Sequence, residues 1–307
     1  MLYVRVLALA AALSTANAAA LHQHNDRPAL SSVLALRGGG PVSAVATVKS
    51  PKETYFGMAE KGRDNAKLSF AKILHQSIMG GCYVGFGGLL STVVAGGCPG
   101  IASSNPALQK FIFAALFPVN LLLILMSGGQ LFTGNSAAVP AALYEGLVSV
   151  DDLIKSWVTS YLGNIIGCGL FAYAAKYTGL LYGGVADLAV ATAMKKCSSA
   201  FGPTVVKAIM CNWLVCMAVW LAGSANDLAG KMVGIWFPIS TFVAIGLEHS
   251  VANLFLLPLG LLGGADISLK DVLLKNLIPV TLGNAIAGGL IVAAGYSYAF
   301  GKLGEDA

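Results

Sequence analysis

The amino-acid sequence predicts an all-α membrane protein with six transmembrane helices in an inverted three-plus-three repeat, two of them broken near their middle. Three observations carry the prediction. Charged residues make up 11% of the 307 positions and hydrophobic ones 56%, with a mean hydropathy of +0.75, whereas a soluble domain carries about 25% charged residues. Six apolar segments are long enough to cross a bilayer, which takes about 20 residues. Part of the sequence also repeats itself three spans further on.

The N-terminus comes first. Residues 1–18 read as a signal peptide, with Arg5 as the charged start, Val6 to Leu13 as a short apolar core and Ala16-Asn17-Ala18 as an A-x-A cleavage site. Residues 19–60 read as a disordered, transit-like leader, rich in Ala, Ser and Leu with Arg27 and Arg37, in which Asp26 is the first acid. A signal followed by such a stretch resembles the two-part leaders of algae with complex plastids. That favours a plastid envelope membrane, with the plasma membrane as the alternative destination. Residues 61–307 form the transmembrane domain.

The predicted spans are 72–95, 108–147, 153–178, 205–223, 232–261 and 272–300. The second and fifth are too long for a single crossing, and each carries polar, glycine-containing material at its middle. In the second it runs from Ser127-Gly128-Gly129-Gln130 to Thr133-Gly134-Asn135, and in the fifth it is Gly246-Leu247-Glu248-His249-Ser250. Non-helical backbone at membrane depth is tolerated where it is buried in protein or lines a cavity, so the two breaks point to a central pathway. Residues 151–170 and 271–290 match at nine of twenty positions, among them Gly163/Gly283 and Asn164/Asn284. Asn135 and Pro140 have the spacing of Asn253 and Pro258. Three spans is an odd number, so the halves cross in opposite senses, and paired broken helices in an inverted repeat mark a transport site. Lysines do not decide the orientation: the basic N-terminal stretch favours an internal terminus, and Lys195 and Lys196, in the longest loop, oppose it.

An ionisable residue at membrane depth is costly and points to function. His249 is the one histidine deep in an apolar segment, beside Glu248; otherwise it would be a satisfied core histidine. Glu248 either faces the pathway or accepts hydrogen bonds from backbone N–H groups freed by the break. Asn164, Asn212 and Asn284 lie inside apolar spans and need partners, and Thr133 and Ser250 bring hydroxyls to the breaks. Phe117, Leu121, Val215 and Phe242 taken singly would be ordinary core. The six cysteines lack C-x-x-C spacing and read as small apolar packing residues, so neither a metal nor a cofactor is expected. No basic patch interleaved with aromatics suggests a nucleic-acid partner.

Phe132-Thr133-Gly134-Asn135 after Gly128-Gly129-Gln130-Leu131, Asn212-Trp213-Leu214-Val215-Cys216, Gly246 to Asn253 and Ile278-Pro279-Val280-Thr281-Leu282-Gly283-Asn284 together resemble the formate/nitrite transporter family. The likeness runs from Lys72 to Tyr298. The segment from Cys98-Pro99-Gly100-Ile101 to Lys110 resembles the algal plastid nitrite-transporter branch. The resemblance implies an aquaporin-like protomer in a homopentamer, each with its own pore for small monovalent weak-acid anions, nitrite before formate. It implies proton exchange at His249 with Thr133 hydrogen-bonded nearby, and Asn212 and Asn284 beside the path. It groups Leu121, Phe132 and Phe242 in one constriction and Phe117 and Val215 in another, with Lys72 and Lys196 attracting anions at the two vestibules. Gln130 stands where relatives often carry an acid.

Two other functions remain to be weighed. An aquaporin-like neutral-solute channel is suggested by Asn105-Pro106-Ala107, but the tripeptide occurs once and the second break lacks it. An intramembrane redox or haem enzyme finds only His75 and His249 in or near the spans, too few for stacked bis-histidine haems.

Overall fold

The computed structural model describes residues 48–305, so the expected signal peptide and residues 19–47 of the expected leader lie outside the described residues. The first helix, α1 (Pro51–Lys67), begins inside the stretch assigned to the leader. Its start is locally encoded. Pro51 occupies the first turn, and Ser50 and Glu53 form a capping box in which Ser50 Oγ accepts from the Glu53 N–H and Glu53 Oε2 accepts from the Ser50 N–H. Ordered helix therefore begins before residue 61, inside the stretch expected to be disordered. Burial, then the hydrogen bond it donates to Glu145 Oε1 at 2.6 Å, holds the Tyr55 hydroxyl well above the ordinary phenol range. Glu145 Oε1 also accepts from Ser297 Oγ at 2.9 Å, so α1 and the C-terminal helix meet on one carboxylate.

Among the described residues, six helices are long and apolar enough to cross a membrane. Four are continuous: α2 (Phe70–Gly96), α7 (Val150–Tyr177), α9 (Phe201–Ser224) and α12 (Leu269–Phe300). After the short α3 (Pro99–Ser104), the second crossing is made by α4 (Pro106–Leu116), α5 (Val119–Ser127) and, beyond the first break, α6 (Phe132–Tyr144). The fifth is made by α10 (Leu228–Ile245) and, beyond the second break, α11 (Ser250–Gly263). One expectation is corrected: the longest predicted loop contains a helix, α8 (Gly183–Lys196), which packs on α11. Its small-residue face, with Ala189 and Ala193 buried, is too short and too weakly apolar to register as a span.

Each half then has the same plan. A short helix (α1 or α8) leads into a span (α2 or α9) and packs against the broken segment (α6 or α11), and a closing span (α7 or α12) packs on the leading one. The repeated glycine explains the last contact. A Cβ on Gly163 would stand 2.5 Å from Ser77 Cβ of α2, and one on Gly283 would stand 2.5 Å from the Val205 carbonyl of α9. Both replace a side chain with backbone approach, as membrane helix pairs do. The outer surface carries Phe86, Phe111, Leu170, Phe237 and Leu290, each more than half exposed, as a lipid-facing surface requires.

Candidate functional site

Both breaks start from the same backbone feature. α5 ends at Gly128 with φ +79° and α10 ends at Gly246 with φ +81°, a left-handed conformation that glycine adopts without steric cost. The chain then leaves the helix for three residues before α6 and α11 restart. An asparagine from the closing span of the same half clamps each restart. Asn164 Oδ1 accepts from the Phe132 N–H (2.9 Å), and its Nδ2 donates to the Gln130 and Ser77 carbonyls. Asn284 Oδ1 accepts from the Ser250 N–H (2.8 Å), and its Nδ2 donates to the Glu248 and Ala208 carbonyls. The repeat seen in the sequence is thus a repeat of hydrogen bonds. Asn284, expected beside the path, is fully buried and spends its amide on backbone, because a broken helix leaves N–H and C=O groups that must be paired at membrane depth.

His249 caps the second restart. Its Nδ1 accepts from the Ala252 N–H at 3.0 Å, while Nε2 lies 3.0 Å from Thr133 Oγ1 on α6. An Nδ1 that accepts cannot carry the proton of a neutral ring, so the hydrogen is on Nε2 and is donated to Thr133. Protonating Nδ1 as well would set two N–H groups against each other and break the cap. Asn212 on α9 joins the two breaks, donating to Ser136 Oγ of α6 (2.8 Å) and to the Asn284 carbonyl (2.7 Å). Its Oδ1 is buried without a protein partner.

The imidazole lies at the floor of a recess of about 370 Å³ that includes Lys110, Lys195, Lys196 and Lys207, with Phe117 and Phe242 beside His249 at its inner end. Lys196 Nζ is 3.1 Å from Glu248 Oε2. The same oxygen accepts from Asn253 Nδ2 (2.7 Å) and Asn276 Nδ2 (3.1 Å). The donors to Glu248 are therefore side chains rather than the backbone N–H groups expected, since Asn284 engages the backbone here. Gln130, at the register of Glu248 in the first half, makes the neutral version of this network. It accepts from Asn135 Nδ2 (2.8 Å) and donates to Gln76 Oε1 (2.7 Å).

The aromatic and aliphatic residues regroup. Phe242 is paired with Phe117, ring centroids 6.3 Å apart and nearly perpendicular, and stacks on His249 at 5.6 Å. Behind these rings a cavity of only about 10 Å³ is lined by Asn120, Leu121, Leu131, Val215 and Ile239 as well as Phe117, Phe242 and His249. That is about the least a single water occupies. The two expected groups merge: Phe242, on the last turn of α10, meets Phe117 at the junction of α4 and α5, and Leu121 and Val215 line the smaller cavity together with both rings. Phe132 lines neither cavity; its ring packs on Trp157 and Tyr161 at 5.8 and 5.2 Å. Lys72, on the exposed first turn of α2, also lines neither. Leu131 went unnoticed in the sequence, although it occupies the register of His249 in the first half. Lys110 and Lys207 had no local signal at all, for only helix packing brings them to the recess.

Known proteins were compared with this arrangement. The family described as formate/nitrite transporter matches residues 52–298. A probable formate transporter of Methanothermobacter thermautotrophicus is 39% identical over 277 residues, covering 84% of this chain and 99% of that protein. Among solved structures, an FNT family ion channel superposes with a TM-score of 0.73 at 28% identity, covering 80% of this chain and 98% of the other. A pentameric formate channel with formate bound superposes with a TM-score of 0.65 at 26% identity, covering 83% and 100%.

Proposed function

The chain belongs to the formate/nitrite transporter family, as a multi-pass membrane transport protein and not an enzyme, and from that premise we propose that it passes nitrite, and formate second, through a pore centred on His249. The observation that carries the proposal is the His249 Nε2–Thr133 Oγ1 contact at 3.0 Å, set at the floor of a lysine-bearing recess behind the Phe117–Phe242 pair. A bare monovalent anion cannot enter the dry cavity beyond those rings, because losing its hydration costs many kcal/mol. A weak acid can enter once it is neutral.

In this reading cations of the recess raise the local anion concentration, and the Nε2–H, shared with the Thr133 hydroxyl, hydrogen-bonds the arriving oxyanion. A whole proton passes through the imidazolium. Nδ1 takes a proton from water of the recess at the expense of the Ala252 cap, Nε2–H goes to the anion, the neutral acid crosses between Leu121, Leu131 and Val215, and loss of the Nδ1 proton to water with reprotonation of Nε2 restores the ring and its cap. Glu248 and Asn212 hold the two breaks around the ring, and Asn284 clamps the backbone that presents it. Five such protomers would assemble as in the solved pentameric formate channel, burying part of the outward apolar surface. The plastid-like leader and the likeness to the algal branch support nitrite as the physiological ion and a plastid envelope as the membrane.

Competition in proteoliposomes tests the substrate. Nitrite is expected to enter faster than formate at equal concentration, lactate more slowly, and glycerol not at all. Glycerol permeation without anion flux would favour the aquaporin-like channel instead, and formate outpacing nitrite would remove the nitrite assignment.

A further inference from the structure

The recess above His249 carries more positive charge than a monovalent anion needs. Four lysines line it against one carboxylate, Glu248, and that carboxylate is taken by Lys196 at 3.1 Å. Lys110, Lys195 and Lys207 form no ion pair among the described residues. They come from three elements: Lys110 from the first turns of α4, Lys195 from the last turn of α8 and Lys207 from α9. Lys207 Nζ donates to Ser199 Oγ at 3.3 Å, which holds the ammonium over the recess and leaves the Ser199 proton free to donate in turn. The hydroxyl of Thr192 lines the same wall.

We propose that Lys110, Lys195 and Lys207, with Ser199 and Thr192, form a binding site for a doubly charged tetrahedral oxyanion, which occupies the recess and competes with the entry of monovalent anions. The inference rests on the transport reading for its competition clause alone. Ammonium-bearing residues from separate elements that line one recess, with hydroxyl-bearing residues beside them, match an ion that offers several acceptor oxygens and two charges. A recess of about 370 Å³ is within the range of small-ligand pockets. The same ion cannot go further. Ion solvation energy scales with the square of the charge, so drying a dianion costs roughly four times as much as drying a monoanion of like size. The Phe117–Phe242 pair and the 10 Å³ cavity behind it, with His249 and Asn120 as its polar lining, offer no cation in return.

Inorganic sulfate is the probe, because its charge does not titrate. Equilibrium dialysis of radiolabelled sulfate against the detergent-solubilised full chain, at constant ionic strength in chloride, reads binding without transport. Formate uptake into proteoliposomes with and without sulfate reads competition. Saturable sulfate binding is expected, with the apparent KM for formate raised by sulfate. The Lys110→Gln/Lys207→Gln double variant should bind sulfate about tenfold more weakly, and Lys110→Arg/Lys207→Arg should retain binding and so control for folding. Sulfate binding that is absent, or unchanged in the double Gln variant, overturns the site. Lysine-dependent binding in a protein that passes no formate sustains the site and overturns the transport reading, whereas formate flux without lysine-dependent binding does the reverse.

Discussion

At the scale of single residues, charge in the recess is divided between a locked pair and free groups. Lys196, which the sequence nominates as an anion attractor, is mostly buried against Glu248, with side-chain exposures of 14% and 10%. Its first task is therefore to neutralise a carboxylate in a low-dielectric place. Removing one partner of such a pair leaves the other charge stranded, which costs about 3–5 kcal/mol. Because Asn253 and Asn276 still serve Glu248 Oε2, Lys196→Ala is expected near the lower limit, about 3 kcal/mol. The second change Glu248→Gln should return part of that loss by removing the orphaned charge. Lys72→Ala, on the exposed first turn of α2, should stay within about 0.5 kcal/mol of the parent. Thermal unfolding of the solubilised oligomer checks all three variants. Equal melting temperatures for Lys196→Ala and Lys72→Ala would show that the pair contributes nothing.

At the scale of elements, the breaks are built from glycine turns and asparagine clamps rather than from apolar packing. Asn164→Ala and Asn284→Ala each strand one backbone N–H and one carbonyl of the break, that of Gln130 or Glu248, because Ser77 and Ala208 keep their bonds within α2 and α9. With about 1–3 kcal/mol for each unsatisfied buried group, either change should lower stability by about 3 kcal/mol or more. The matching geometry predicts matching losses, read as reduced yield and melting temperature of the assembled protein. An Asn284→Ala protein that melts normally but has altered anion preference would return Asn284 to the lumen. Much of this was legible in the sequence, since long apolar segments, two interruptions and the Gly-Asn repeat are one-dimensional patterns. α2 was expected from 72 and begins at Phe70; α12 was expected from 272 and begins at Leu269. Less was legible where burial depends on a partner. α8 hides its small-residue face against α11, and α1 rests on α6, so neither shows the long apolar run that marks a span. The meeting of Phe117 with Phe242, and of both with Leu121 and Val215, depends on which helices cross at the break, and sequence spacing does not encode that.

At the scale of the molecule, a symmetric scaffold carries asymmetric chemistry. Leu131 and His249 occupy one register, and so do Gln130 and Glu248, so one half supplies an apolar wall on a neutral amide network and the other an imidazole on an ion pair. In the transport proposal, anion attraction, the aromatic pair and the proton-bearing ring follow one another along a single path. The leader belongs to this scale too. A fluorescent fusion of residues 1–60 is expected to reach the plastid envelope, and fluorescence confined to secretory compartments or the plasma membrane would contradict that destination while leaving transport untouched. The central claim, that anions cross each protomer by way of His249, is met most directly by formate uptake into proteoliposomes containing equal amounts of assembled wild-type or His249→Phe protein. Phenylalanine keeps the ring's bulk and its stacking on Phe242 while removing the Nε2–H. The account predicts rapid, saturable uptake by the wild type and a fall of about a hundredfold in the variant, the scale of a lost proton donor. Uptake by His249→Phe at the wild-type rate would contradict it.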